Sequence, residues 1–114
     1  MLKIKTDDYQ IWHDPETSTV FFQGFLRLAG MEEYRPVMEL LMAVVEENPS
    51  VTIDLRELEF LNSSGISMLS MFVIKVREKG NVNLSLKGSE QILWQTKSLK
   101  NLKRLMQEIK LEFA

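Results

Sequence analysis

The sequence predicts an α/β domain built on a mixed, mainly parallel sheet with an N-terminal β-hairpin. Three observations predict it. Short runs with strand character alternate with longer runs at helical spacing, as in a sheet assembled from crossover units. The run at residues 51–55 (VTIDL) is mostly apolar, as a central strand buried on both faces would be. Two earlier strand-like runs flank an Asp-Pro turn, which adds an antiparallel hairpin.

Residues 1–6 alternate through Leu2 and Ile4, the pattern of a short edge strand. Residues 9–13 (YQIWH) alternate again. Asp14-Pro15-Glu16-Thr17 is a turn, because Pro presets its backbone angle and Asp can bond the backbone beyond it. Residues 19–28 (TVFFQGFLRL) are rich in β-branched and aromatic side chains and form the return strand. Gly24 within it predicts a bulge or a close backbone approach. Gly30 ends the hairpin. Residues 32–47 follow helical spacing through Val37, Leu40, Leu41, Val44 and Val45. Pro36 fits if the helix starts within the preceding four residues, where N–H groups have no partner anyway. Asn48-Pro49 stops the helix.

Residues 56–61 are expected to lead out of the central strand. Asn62, Ser63 or Ser64 can each cap a helix that runs to about Lys79, with Gly80 as its terminator. Ile66, Leu69, Phe72, Val73 and Val76 face one way, and Met68, Met71 and Ile74 widen the apolar surface. Residues 81–87 (NVNLSLK) alternate as a strand. Gly88-Ser89 is expected to cap the next helix, with Glu90 in its first turn. Ile92, Leu93, Leu99, Leu102, Leu105, Met106 and Ile109 continue a helical stripe, with a break expected near Lys97-Ser98 that gives two short helices. The tail, residues 109–113, alternates and can form a last strand.

The chain has 114 residues, 45% hydrophobic and 26% charged, enough for one domain spanning residues 1–114. A formal net charge of -2 gives no overall pull toward nucleic acid or anionic lipid. There is no cysteine, so thiol chemistry and disulfides are excluded. No membrane-spanning run or signal-peptide core is visible, so a cytoplasmic protein is expected. One histidine, His13, leaves little for a metal site, and no Gly-rich phosphate loop is present. Neither a metal nor a cofactor is expected.

His13, Asp14 and Ser63 could be imagined as a hydrolase triad. However, His13 belongs to a hairpin turn, Ser63 to a sheet edge, and the Gly-x-Ser-x-Gly elbow is absent. Glu32, Glu33, Glu46 and Glu47 read as solvated helix ends, and Lys97, Lys100, Lys103, Arg104 and Lys110 as a solvated basic face. The methionines read mostly as core filler, and Trp12 and Trp94 as partly buried anchors. Ser63, Ser67 and Ser70 share a helix face whose small residues permit close approach, by another helix or by a partner.

The motif at the centre carries a resemblance. Val51-Thr52-Ile53-Asp54-Leu55, then Leu58, Phe60-Leu61-Asn62-Ser63-Ser64-Gly65-Ile66 and Leu69, resembles the STAS domain. That is the fold shared by bacterial anti-sigma factor antagonists and by the cytoplasmic ends of sulphate transporters. The resemblance covers nearly the whole chain in element order. It implies a non-catalytic regulatory binding module whose first motif hydroxyl is phosphorylated in a partner-switching pathway. Carried to this chain, that residue is Ser63, with Ser64 as second choice. Asn62, Ser63, Ser64, Gly65 and Met68 are then expected near the contact surface. The implied partners are an anti-sigma factor, often the serine kinase itself, and a phosphatase.

The chain departs from the family pattern at Asn62, where the family has an acid; Asn keeps the capping ability and lacks the charge. That departure favours one alternative, a STAS-like docking or dimerisation module that is never phosphorylated. A second alternative is a small enzyme or ligand carrier, which requires a polar cleft near Ser63. Ser63 and Ser64 also suit plain helix caps. The sequence leaves the oligomeric state open.

Overall fold

Among the described residues, six strands lie side by side in the order in which the chain makes them. The computed structural model describes residues 2–114. The strands are β1 (Lys3–Lys5), β2 (Tyr9–Asp14), β3 (Thr19–Leu26), β4 (Ser50–Leu61), β5 (Asn83–Gly88) and β6 (Lys110–Phe113). The helices are α1 (Gly30–Glu33), α2 (Arg35–Glu47), α3 (Ser63–Lys79) and α4 (Leu93–Leu105). β1, β2 and β3 pair antiparallel, and β3 to β6 pair parallel. The sheet is therefore mixed and mainly parallel, with three of its five pairings parallel and the expected hairpin at its start. The tail strand forms, pairing Leu111 with Leu86.

Parallel crossovers that all step the same way and keep the usual right hand place their helices on one face of the sheet. Burial agrees. Ile11, Val20, Phe22, Ile53, Leu55, Leu84 and Leu86 join Leu41, Val44, Leu69, Phe72, Val73 and Leu99 in one core. The alternate residues, among them Trp12, Phe21, Thr52 and Ser85, point to the other face and are half-buried. The expectation of a central strand covered on both faces is thus corrected: β4 is covered by helices on one side only. Asp54, on the uncovered side, is 5% exposed because Arg56 folds over it.

Several boundaries differ from the sequence reading. The helix expected over 32–47 starts earlier, at Gly30, and breaks at Tyr34, because Pro36 has no N–H for the next bond back and sits near the start of α2. The run at 56–61 does not lead out of the strand but continues β4 to Leu61 through a register irregularity against β3. Gly88-Ser89 does not cap α4. Ser89 Oγ accepts only from the Gln91 N–H, and the helix starts at Leu93 without a side-chain cap. α4 runs unbroken through Lys97-Ser98, since buried Leu99 and Leu102 hold it to the core. His13 lies in β2, half-buried, not in the turn. The turn forms as read, with Asp14 accepting from the Glu16 N–H and the Thr17 hydroxyl. Gly24 takes φ 101°, and a Cβ there would lie 2.3 Å from the Asp8 carbonyl oxygen, the close approach that its position predicts.

Candidate functional site

The site lies where β4 ends and α3 begins, at the edge carrying the carboxyl ends of the parallel strands. Asn62 is the cap. Its backbone is extended (φ −77°, ψ 174°) and its Oδ1 accepts from the Gly65 N–H at 2.9 Å. The same oxygen accepts from the Tyr34 hydroxyl at 2.7 Å, and Nδ2 donates to the Leu28 carbonyl at 2.8 Å. The Asn62 N–H donates to the Leu26 carbonyl at 3.2 Å. One side chain thereby ties the start of α3 to the end of β3 and to the break between α1 and α2. Tyr34 is wholly buried, and burial pushes its hydroxyl pKa up, so it remains a donor at neutral pH.

This geometry accounts for Asn in place of an acid. An Asp at 62 could accept from Gly65 and Tyr34, but it has no N–H for the Leu28 carbonyl and would set an anionic oxygen against it.

Asn62 positions Ser63 without enclosing it. Ser63 is exposed and Ser64 half-buried. Both precede the first intrahelical bond, so their N–H groups are left for solvent at the positive end of the helix. Gly65 is buried; a Cβ would lie 2.2 Å from Leu61 Cδ1 and 2.7 Å from the Tyr34 hydroxyl oxygen. It permits close packing beneath the site rather than contact above it.

Met68 is the clear correction. It is 0% exposed and belongs to the inner stripe of α3 with Gly65, Leu69, Phe72, Val73 and Val76. Met68 therefore does not reach a contact surface. The exposed methionine of this helix is Met71, which lies on the outer line Ser63–Ser67–Met71 at four-residue spacing. Ser70 is half-buried and its hydroxyl donates back to the Ile66 carbonyl.

Other exposed apolar groups stand along the same edge, and one of them, Leu93, departs from the apolar stripe to which its helical spacing assigns it. Leu93, the first residue of α4, is 96% exposed, and Met31 of α1 is 44% exposed. Phe25 and Phe60, paired across β3 and β4, flank the Arg27 guanidinium at 5.3 and 5.2 Å. Composition carries no signal for these residues, because their exposure depends on which strand ends share an edge.

Three clefts among the described residues lie away from Ser63, and none offers the polar cavity that a carrier requires there. One cleft, about 800 Å³, is lined by Lys5, Tyr9, Gln10, Gln23, Arg56 and Glu57 among others. A second, about 410 Å³, lies at the opposite edge beside Thr17, Thr52 and Ser85. A third, about 600 Å³, lies beside Arg77, Gly80 and Met106, and residues 62–64 line none of the three. His13 pairs with Val20 near the opposite strand ends, so it and Ser63 are not brought together. Among the described residues no group of His, Asp and Glu is placed to hold a metal ion, and no helix is long and apolar enough to cross a membrane.

No family model and no curated protein sequence matches the chain. Solved structures do. The chain aligns over 100% of its length with 100% of a chain in the crystal structure of the diguanylate cyclase SiaD in complex with its activator SiaC from Pseudomonas aeruginosa. The TM-score there is 0.72 at 14% identity. Apo-SiaC from the same organism matches at TM-score 0.70 and 12% identity, over 99% of this chain and 98% of that one. An anti-sigma factor antagonist from Mycobacterium paratuberculosis matches at TM-score 0.61 and 20% identity, over 97% of this chain and 82% of that one. At these identities the likeness is one of architecture, and the chain has a STAS-like fold.

Proposed function

We propose that this chain is a regulatory binding module of a bacterial partner-switching pathway, cytoplasmic and without catalysis of its own, switched by phosphorylation of Ser63. The observation that carries the reading is the placement of Ser63. It is exposed in the first turn of a 17-residue helix whose cap is held by its neighbour. A phosphate there adds between one and two negative charges beside free N–H groups, a site that tolerates an anion. Its effect falls on the surface, where charge would meet an approaching partner. The partner surface comprises Asn62, Ser63 and Ser64, extended by Ser67, Met71 and Leu93.

The named neighbours support a protein partner, since one is an anti-sigma factor antagonist and another an activator in complex with a cyclase. On this reading the partner is an anti-sigma factor with serine kinase activity, and a phosphatase resets the cycle. The second reading, a docking module that is never phosphorylated, is favoured by Asn62 alone. Intact mass of the protein from its native cells, compared with Ser63→Ala, separates the two. A subpopulation heavier by one phosphate and absent from the variant is the expected result. A single unmodified mass across growth conditions supports the docking module instead.

A further inference from the structure

We propose that the uncovered face of the sheet is a self-association surface, on which a second copy of this chain docks face to face. Register places six residues in one row across that face: Lys3, Trp12, Phe21, Asp54, Lys87 and Glu112, one from each strand in order. Lys3 and Glu112 are exposed at the two edges. Trp12 and Phe21 stack with centroids 5.1 Å apart and planes 19° apart, and both remain half-buried with no helix above them. Asp54 is bound by Arg56 at 2.7 Å.

The order of the row is complementary to its own reverse. A two-fold axis parallel to the strands, passing between β3 and β4, lays β1 on β6, β2 on β5 and β3 on β4 of the other copy. Lys3 then meets Glu112, and Trp12 meets Lys87, a cation over an aromatic face. Phe21 meets the Asp54–Arg56 pair. Beside this row Thr19 meets Thr52, two small side chains that allow the sheets to close. The other two-fold arrangement, with its axis across the strands, sets Lys3 on Lys3, Lys87 on Lys87 and Glu112 on Glu112. Charge therefore selects the first arrangement, an aligned packing of two sheets. Each copy's Ser63 edge stays free in it, so two partner sites face outward.

Sedimentation of the purified full chain over a range of concentrations tests this. A monomer–dimer equilibrium that weakens with added salt is expected. Lys3→Glu and Glu112→Lys should each lower the association constant about tenfold, because each sets two like-charge pairs in the homodimer. An equimolar mixture of the two variants should regain dimerisation, since both edge contacts of the mixed dimer then join opposite charges. Both residues are exposed on edge strands, and melting curves will check that the variants fold. A monomer at every concentration overturns the proposal and leaves the face to some other occupant. So does a dimer insensitive to the single changes, or a mixture no tighter than its components.

Discussion

α3 and α4, which start at the same edge of the sheet, begin in opposite ways. α3 opens on a capping side chain, Asn62, that makes three hydrogen bonds and leaves the next residue exposed. α4 opens on Ile92, which caps nothing. Its anchor is Gln95, wholly buried inside the first turn. Gln95 Nε2 donates to the Leu55 and Leu58 carbonyls at 2.6 and 3.0 Å, and Oε1 accepts from the Ser89 N–H at 2.8 Å. Those carbonyls are free because β4 continues past Asp54, its last residue paired with β5. Trp94 Nε1 also donates to Leu58, at 3.1 Å. One helix start is thus fastened from within, by a side chain that the surface never sees. The other is fastened by its cap and holds out a hydroxyl that the fold does not use.

The contrast can be broken most forcefully at Gln95. Gln95→Leu leaves the Leu55 carbonyl and the Ser89 N–H buried without partners, an expected loss of ~3 kcal/mol and a fall of roughly 15 °C in Tm. A loss under ~1 kcal/mol would mean that α4 does not depend on this residue. Asn62→Ala should cost about 2 kcal/mol, since it removes the cap and orphans the Tyr34 hydroxyl and the Leu28 carbonyl. A double-mutant cycle with Tyr34→Phe sharpens the point: a coupling of ~1 kcal/mol is expected, and additive effects would deny the shared bond.

A smaller effect belongs to the open face. Burial alone would push the Asp54 carboxyl up, but hydrogen bonds and charge from Arg56, with Lys87 nearby, outweigh it and hold it below the usual carboxylate range. A lowered folded-state pKa stabilises above the unfolded value of about 4, and that stabilisation is lost as pH falls through the folded value. Urea midpoints of the native chain and Asp54→Asn should therefore differ at neutral pH and converge in acid below about pH 4. A gap constant across that range would count against the ion pair.

What the sequence disclosed follows the same division. Strand alternation and the chain's turn residues placed the hairpin, the sheet strands and α3, and Asn62 was among three residues that could cap it. The cap's partners were not legible, because Tyr34 and Leu28 reach it from 28 and 34 residues away. Gln95 was equally silent, since a polar residue in a helix reads as surface until the carbonyls it serves are known. The α3 phase was ambiguous because two adjacent stripes are apolar. Packing selects the one through Gly65, where no side chain stands, and so turns Met68 inward and Met71 outward. Short polar spots such as Lys97-Ser98 mislead in the other direction, since neighbouring buried leucines override weak local propensity.

The fold exposes Ser63 and draws no support from its hydroxyl. The thermal midpoint of Ser63→Asp tests that most directly. An anion in the first turn of α3 should leave the midpoint unchanged or raise it by roughly 2–5 °C. A fall as large as that of Asn62→Ala would show that the hydroxyl is part of the structure, and would contradict the proposal that Ser63 is a surface switch.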